Sequence, residues 1–161
     1  MRSPHQQRID RFMLLAGQEV PGGPQFEVSR EIRELRARLI LEEAFETIEA
    51  LGCDVTVEMK GQYPDDTEIH RIYLPWVHVQ DSQVHKYDIT KVVDGCADIS
   101  VVTIGTLSAL GVDDIPVLEA VDQNNLAKFG PGGYRRPDGK WIKPEGHKPP
   151  DFASIIDKMR K

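Results

Sequence analysis

Five carboxylates in two short stretches have a spacing suited to holding a divalent cation. In "LEEAFE", Glu42 and Glu46 are four residues apart and Glu43 and Glu46 three apart, so on a helix all three converge on one region, with Glu49 extending the row. In "DGCADISVVTIGTLSALG", Asp94 and Asp98 are again four apart, and the stripe they begin continues through Val101, Val102 and Gly105. No side chain from Ile99 to Val112 is charged. A carboxylate stranded in a dry interior costs several kcal/mol, roughly, so aspartates heading such a segment require a hydrogen-bonding partner or a cation. The bland alternative for the glutamates is a solvated acidic face, with Leu41, Phe45, Ile48 and Leu51 forming the buried side opposite. Against it, Glu42 and Glu46 continue the line of Leu35 and Leu39, so the acids extend an apolar stripe. Packing the two helices together would gather four or five carboxylates, which repel one another unless a cation binds. An oxygen-only donor set without neighbouring His or Cys suits Mg²⁺ or Mn²⁺ and disfavours zinc. It also excludes a ferritin-like di-iron site, because the residues three beyond Glu43 and Glu46 are Glu46 and Glu49 rather than histidines.

A constellation of opposite sign lies near the other end of the chain. "NNLAKFGPGGYRRPDGKWIKPEGHK" gathers Lys128, Arg135, Arg136, Lys140, Lys143 and Lys148 among glycines and prolines. Backbone N–H groups freed by glycine, together with ammonium and guanidinium heads, are what a phosphate site requires. Tyr134 and Trp141 either stack on a base or anchor this loop. Three of the histidines, His70, His78 and His85, fall in one segment of mixed character and read as surface residues. An acidic cluster combined with a basic loop points to a polyphosphate carried by a metal ion.

The elements that must position these groups are mostly helical. Ser3, Pro4 and Gly17 bracket a first helix, and Ser29 and Gly52 bracket a second that carries the glutamates. A third spans roughly Thr90 to Leu110, and a fourth starts near Asp114 and ends before Gly130. Asp151 caps a short terminal helix. Between the acidic pairs, residues 54–89 alternate apolar and polar around "QYPDD", which predicts a β-hairpin or irregular insertion in which Pro75 excludes a central strand. The basic stretch 130–150 is too rich in Gly and Pro for regular structure. The expectation is a single all-α domain over 1–161, a four-to-five-helix bundle with a small β-like insertion at about 54–89. A chain of 161 residues, 40% hydrophobic and 29% charged, holds a core of that size. Its net charge of −6 argues against nucleic acid or a membrane surface as partner. Cys53 and Cys96 lack CxxC spacing, the N-terminus lacks an apolar signal core, and no apolar run reaches about 20 residues, so a cytoplasmic location is expected.

With these motifs in view, the sequence resembles the all-α nucleoside triphosphate pyrophosphohydrolases: MazG-like enzymes, dimeric dUTPases, dCTP pyrophosphatases and phosphoribosyl-ATP pyrophosphohydrolase. The shared pattern is Glu-x-x-Glu on one helix, Glu-x-x-Asp on the next and Asn-x-x-Lys after that. "EEAFE" supplies Glu43 and Glu46, with Glu42 as an extra acid, and "NNLAK" supplies Asn125 and Lys128. "DGKWIKP" looks like the extended tail of MazG-like and phage-type members. One position departs: the glutamate of Glu-x-x-Asp falls on Gly95, and Asp94 stands one residue earlier to deputise. The resemblance implies Mg²⁺-dependent hydrolysis between the α and β phosphates, giving a nucleoside monophosphate and pyrophosphate. It implies metal ligation by Glu43, Glu46, Asp98 and Asp94, with Glu42 or a neighbouring acid taking the proton of the attacking water. Asn125 and Lys128 would contact phosphate, and Lys140 or Lys143 would offset charge on the leaving pyrophosphate. Phe12 and Gln18 are candidates for the base pocket, Gln18 because a side-chain amide can read the edge of a pyrimidine. A pyrimidine deoxynucleotide such as dUTP is favoured over phosphoribosyl-ATP, because the tail and insertion are generous for that compact enzyme. A homodimer or tetramer is implied, with the insertion at a subunit edge or over the pocket. A non-enzymatic helical binding module, in which the acids are only surface charge, is the remaining alternative.

Overall fold

The computed structural model describes residues 1–58, 76–137 and 141–160, apart from the side chains of Glu58 and Trp76. Among these residues the order is α1 (Pro4–Leu15), α2 (Arg30–Ala50), β1 (Cys53–Glu58), β2 (Trp76–Asp81), α3 (Ile89–Ala109), α4 (Asp114–Ala127), β3 (Tyr134–Arg135), β4 (Trp141–Ile142) and α5 (Phe152–Asp157). The protein is predominantly helical, with short strands. It divides into two compact units, 1–33 with 103–161, and 34–102.

In the first unit, α1 starts where Ser3 and Pro4 predict, with the Ser3 hydroxyl accepting a hydrogen bond from the Gln6 N–H at 3.0 Å. Its inward face presents Ile9 and Met13 to a core that also takes Ile104, Ala109 and Val112. A polar lock sits within that core. The fully buried Gln6 amide donates to the Ser108 hydroxyl at 3.1 Å and the Val112 carbonyl at 2.8 Å, and accepts from the Asp114 N–H at 2.9 Å. The buried Asp114 carboxylate in turn accepts from the Ser3 N–H at 2.8 Å and from its hydroxyl. Every member of this knot has a partner, which is the condition for a buried polar group to hold elements in register rather than weaken them. Asp151 caps α5, accepting from the Ser154 N–H at 3.1 Å.

The stretch after α4 is more regular than its Gly and Pro content predicts, because Tyr134–Arg135 pairs antiparallel with Trp141–Ile142. Trp141 is what holds it. Its indole N–H donates to the Lys128 carbonyl, its ring lies 4.9 Å from that of Phe129, and a Cβ on Gly133 would sit 2.9 Å from the indole nitrogen.

In the second unit, β1 and β2 form the predicted hairpin, with Cys53 opposite Asp81 and Val55 opposite Val79. Pro75 and His70 lie outside the described residues. α2 reverses one expectation: its buried residues here are Thr47 and Ala50, with Arg36 about three turns before Thr47 on the same face. Leu41 and Phe45, expected inside, are 55% and 43% exposed, and Leu51 is exposed as well. The buried face of α2 is thus the one carrying Arg36, Thr47 and Ala50, and Leu41 and Phe45 are left exposed among the described residues.

Candidate active site

Two helices and one connection build a cleft of 1040 Å³ within the second unit. α2 contributes Glu46 and Glu49, and α3 contributes Asp94 and Asp98. The aspartates therefore open onto a cleft and not into a dry core. Asp94 is exposed and Asp98 half-buried, so the burial cost expected for them is largely relieved by solvent. Glu43, one turn before Glu46, is half-buried beside them. Desolvation raises its carboxyl above the ordinary range, and the charges of Asp98, Glu46, Glu42 and Asp94 push it further the same way. All five predicted acids thus share one electrostatic field, although neither Glu43 nor the exposed Glu42 lines the cleft.

The two helices meet at Gly95. A Cβ there would lie 2.3 Å from the Thr47 hydroxyl oxygen and 3.2 Å from the Thr47 Cα, so the contact excludes any side chain. Thr47 is buried, and its hydroxyl is turned back to donate to the Glu43 carbonyl at 2.7 Å. The position where the resembled pattern has glutamate is here a point of close helix approach. Asp94, one residue earlier, carries its carboxylate to the cleft instead.

The connection from β2 to α3 forms the other wall, with Val84, His85, Lys86 and Tyr87, and Lys91 follows in the first turn of α3. The His85 Nε2 lies 4.0 Å from both the Glu49 and the Asp54 carboxylates. Sequence reasoning treated His85 as surface and passed over Lys91. The signal that finds Lys91 is its spacing of three, four and seven residues from Asp94, Gly95 and Asp98 on one helix face.

The other predicted residues lie elsewhere in the chain. Asn125 and Lys128 belong to the first unit, where the Lys128 ammonium donates to the Asn125 side-chain oxygen. Tyr134 and Lys143 are exposed, Gln18 and Phe12 follow or end α1, and Lys140 lies outside the described residues. Among the described residues no three His, Cys, Asp or Glu side chains are drawn together into a finished metal cage. What the cleft offers is an open set of hard oxygen donors that repel one another, and that chemistry fits Mg²⁺ or Mn²⁺.

Residues 9–125 match the family model for phosphoribosyl-ATP pyrophosphohydrolase. The chain belongs to that family. It is accordingly a member of the MazG-like all-α nucleoside triphosphate pyrophosphohydrolase superfamily, a hydrolase acting on phosphoric anhydride bonds of nucleotides. No curated protein matches the chain. The span that makes it a phosphoribosyl-ATP pyrophosphohydrolase relative takes in Glu42, Glu43, Glu46, Asp94, Asp98 and Asn125, and stops short of Lys128 and the basic loop.

Proposed function

We propose that the carboxylate cleft is the catalytic site of Mg²⁺-dependent hydrolysis between the α and β phosphates of a nucleotide, releasing pyrophosphate. The observation that carries this reading is the convergence of Glu46, Asp94 and Asp98 on one cleft, with Glu43 inside their mutual field. Glu43, Glu46 and Asp98, with Asp94, would hold the cation, whose contribution when bound is to neutralise and polarise the phosphates. The residues of the chain do the rest. Glu42 or a neighbouring carboxylate accepts the proton of the attacking water. Asn125, Lys128, Lys143 and Lys140 are assigned to phosphate contact, and Tyr134, Gln18 and Phe12 to the organic part of the substrate.

For the substrate, the family match favours phosphoribosyl-ATP at least as well as a pyrimidine deoxynucleotide, and nothing in the cleft argues for dUTP in particular. A panel of phosphoribosyl-ATP and the deoxynucleoside triphosphates, assayed with Mg²⁺ for pyrophosphate release, separates the two. Turnover confined to phosphoribosyl-ATP assigns the family's namesake reaction, and turnover of dUTP assigns the other. Release of orthophosphate in place of pyrophosphate would contradict α–β cleavage altogether.

A further inference from the structure

We infer that Lys91 is a phosphate-binding residue of the carboxylate cleft, held in place by the connection between β2 and α3. The inference rests on the catalytic reading of that cleft and adds to it the group that receives the substrate's anionic end.

The wall carrying Lys91 is tied down at both ends. The Ser82 N–H donates to the Gly52 carbonyl at 2.8 Å, and the Asp88 N–H to the Ala50 carbonyl at 2.9 Å, so the connection is bound to the end of α2. Between these, the Ser82 hydroxyl accepts from the Val84 and His85 N–H groups at 3.0 and 2.8 Å. Gly52, at φ 78°, lets the chain leave α2 closely enough for a Cβ there to meet the Tyr87 nitrogen at 2.9 Å. Asp88 then caps α3 by accepting from the Thr90 and Lys91 N–H groups at 3.0 and 3.3 Å. The backbone of Lys91 is therefore fixed, and its helical position puts it on the face of Asp94 and Asp98, one turn before Asp94.

The charge of the cleft gives this position its meaning. Glu46, Glu49, Asp94 and Asp98 line it, and a polyphosphate entering such a field is repelled wherever a cation does not intervene. A metal ion shared by the carboxylates would leave the outer phosphate oxygens uncompensated. Lys91 lines the same cleft as the acids, and its ammonium makes no ion pair with a described residue. A lysine so placed is a compact point charge with three donors, suited to phosphate oxygens.

The test uses the full chain and inorganic pyrophosphate as probe, titrated calorimetrically in the presence of Mn²⁺. Lys91→Ala should weaken pyrophosphate binding by about tenfold or more, the loss of one charge-assisted contact, and Lys91→Arg should recover most of it. Binding of Mn²⁺ alone should be unchanged in both variants, and Lys86→Ala, on the same wall, should have a smaller effect than Lys91→Ala. Pyrophosphate binding by Lys91→Ala equal to wild type would overturn the assignment. So would an increase in Mn²⁺ affinity with pyrophosphate binding intact, which would make Lys91 only a counter-ion to the aspartates. Failure of the wild-type chain to bind pyrophosphate would overturn this assignment and the catalytic reading together, whereas the two preceding outcomes leave the catalytic reading standing.

Discussion

Gly95 explains the one departure of this chain from its family's acidic pattern. The helices carrying the glutamates and aspartates approach so closely at Thr47 that position 95 has no room for a side chain. Gly95→Ala should therefore destabilise the fold by about 1–3 kcal/mol, the usual cost of overpacking, read as a fall in thermal midpoint. Thr47→Ala added to it should recover part of the loss, because the hydroxyl is the nearest clashing atom. At this scale the acids were legible from spacing alone, since residues three and four apart share a helix face whatever the fold. Lys91 and His85 were not, because a single cation before two aspartates, or a histidine in a strand-rich segment, reads as ordinary surface until the cleft is seen.

Elements were legible where capping and periodicity agreed. Ser3, Pro4 and Asp151 mark helix starts that the structure keeps, and the alternation after Asp54 becomes a paired hairpin. The orientation of α2 was not legible, because periodicity gives two faces and does not say which of them the rest of the chain covers. Nor was the β3–β4 pairing, which depends on Trp141 finding the Lys128 carbonyl. α3 is 21 residues long and by length and composition apolar enough to cross a membrane, more apolar than the sequence reading allowed. Its Asp94 and Asp98 oppose bilayer insertion, and Ile104 and Ala109 near its end are buried, while 28% of its apolar window is buried overall. One element has a built-in acid sensitivity. Hydrogen bonds from the Ser154 hydroxyl and N–H hold the Asp151 carboxyl below its ordinary range. A carboxyl depressed in the folded state stabilises α5 above the unfolded value of about 3.9, and the contribution is lost as pH falls through the lower folded value. Amide protection in α5 should drop on acidification below about pH 4, and Asp151→Asn should abolish that pH dependence while keeping a cap.

On the scale of the whole molecule, exposed apolar surface is the unfinished feature. Leu41 and Phe45 of α2, Leu51 just after it, and Val57, Val77 and Val79 of the hairpin are all exposed, more than scattered surface residues would account for. A second copy of the chain is the expected cover, so sedimentation should give a dimer or tetramer. Phe45→Glu should weaken that association by about 2 kcal/mol or more by placing a charge on the apolar face. A wild-type monomer at micromolar concentration would contradict this. The catalytic claim itself rests on the carboxylate cleft, and Glu46, exposed on its wall, can be altered without disturbing a buried contact. The most direct measurement is pyrophosphate release by Glu46→Gln on whichever nucleotide the wild-type enzyme turns over, with Mg²⁺ present and folding checked by circular dichroism. The account predicts a loss of about a hundredfold or more in turnover with the fold intact; turnover equal to wild type would contradict it.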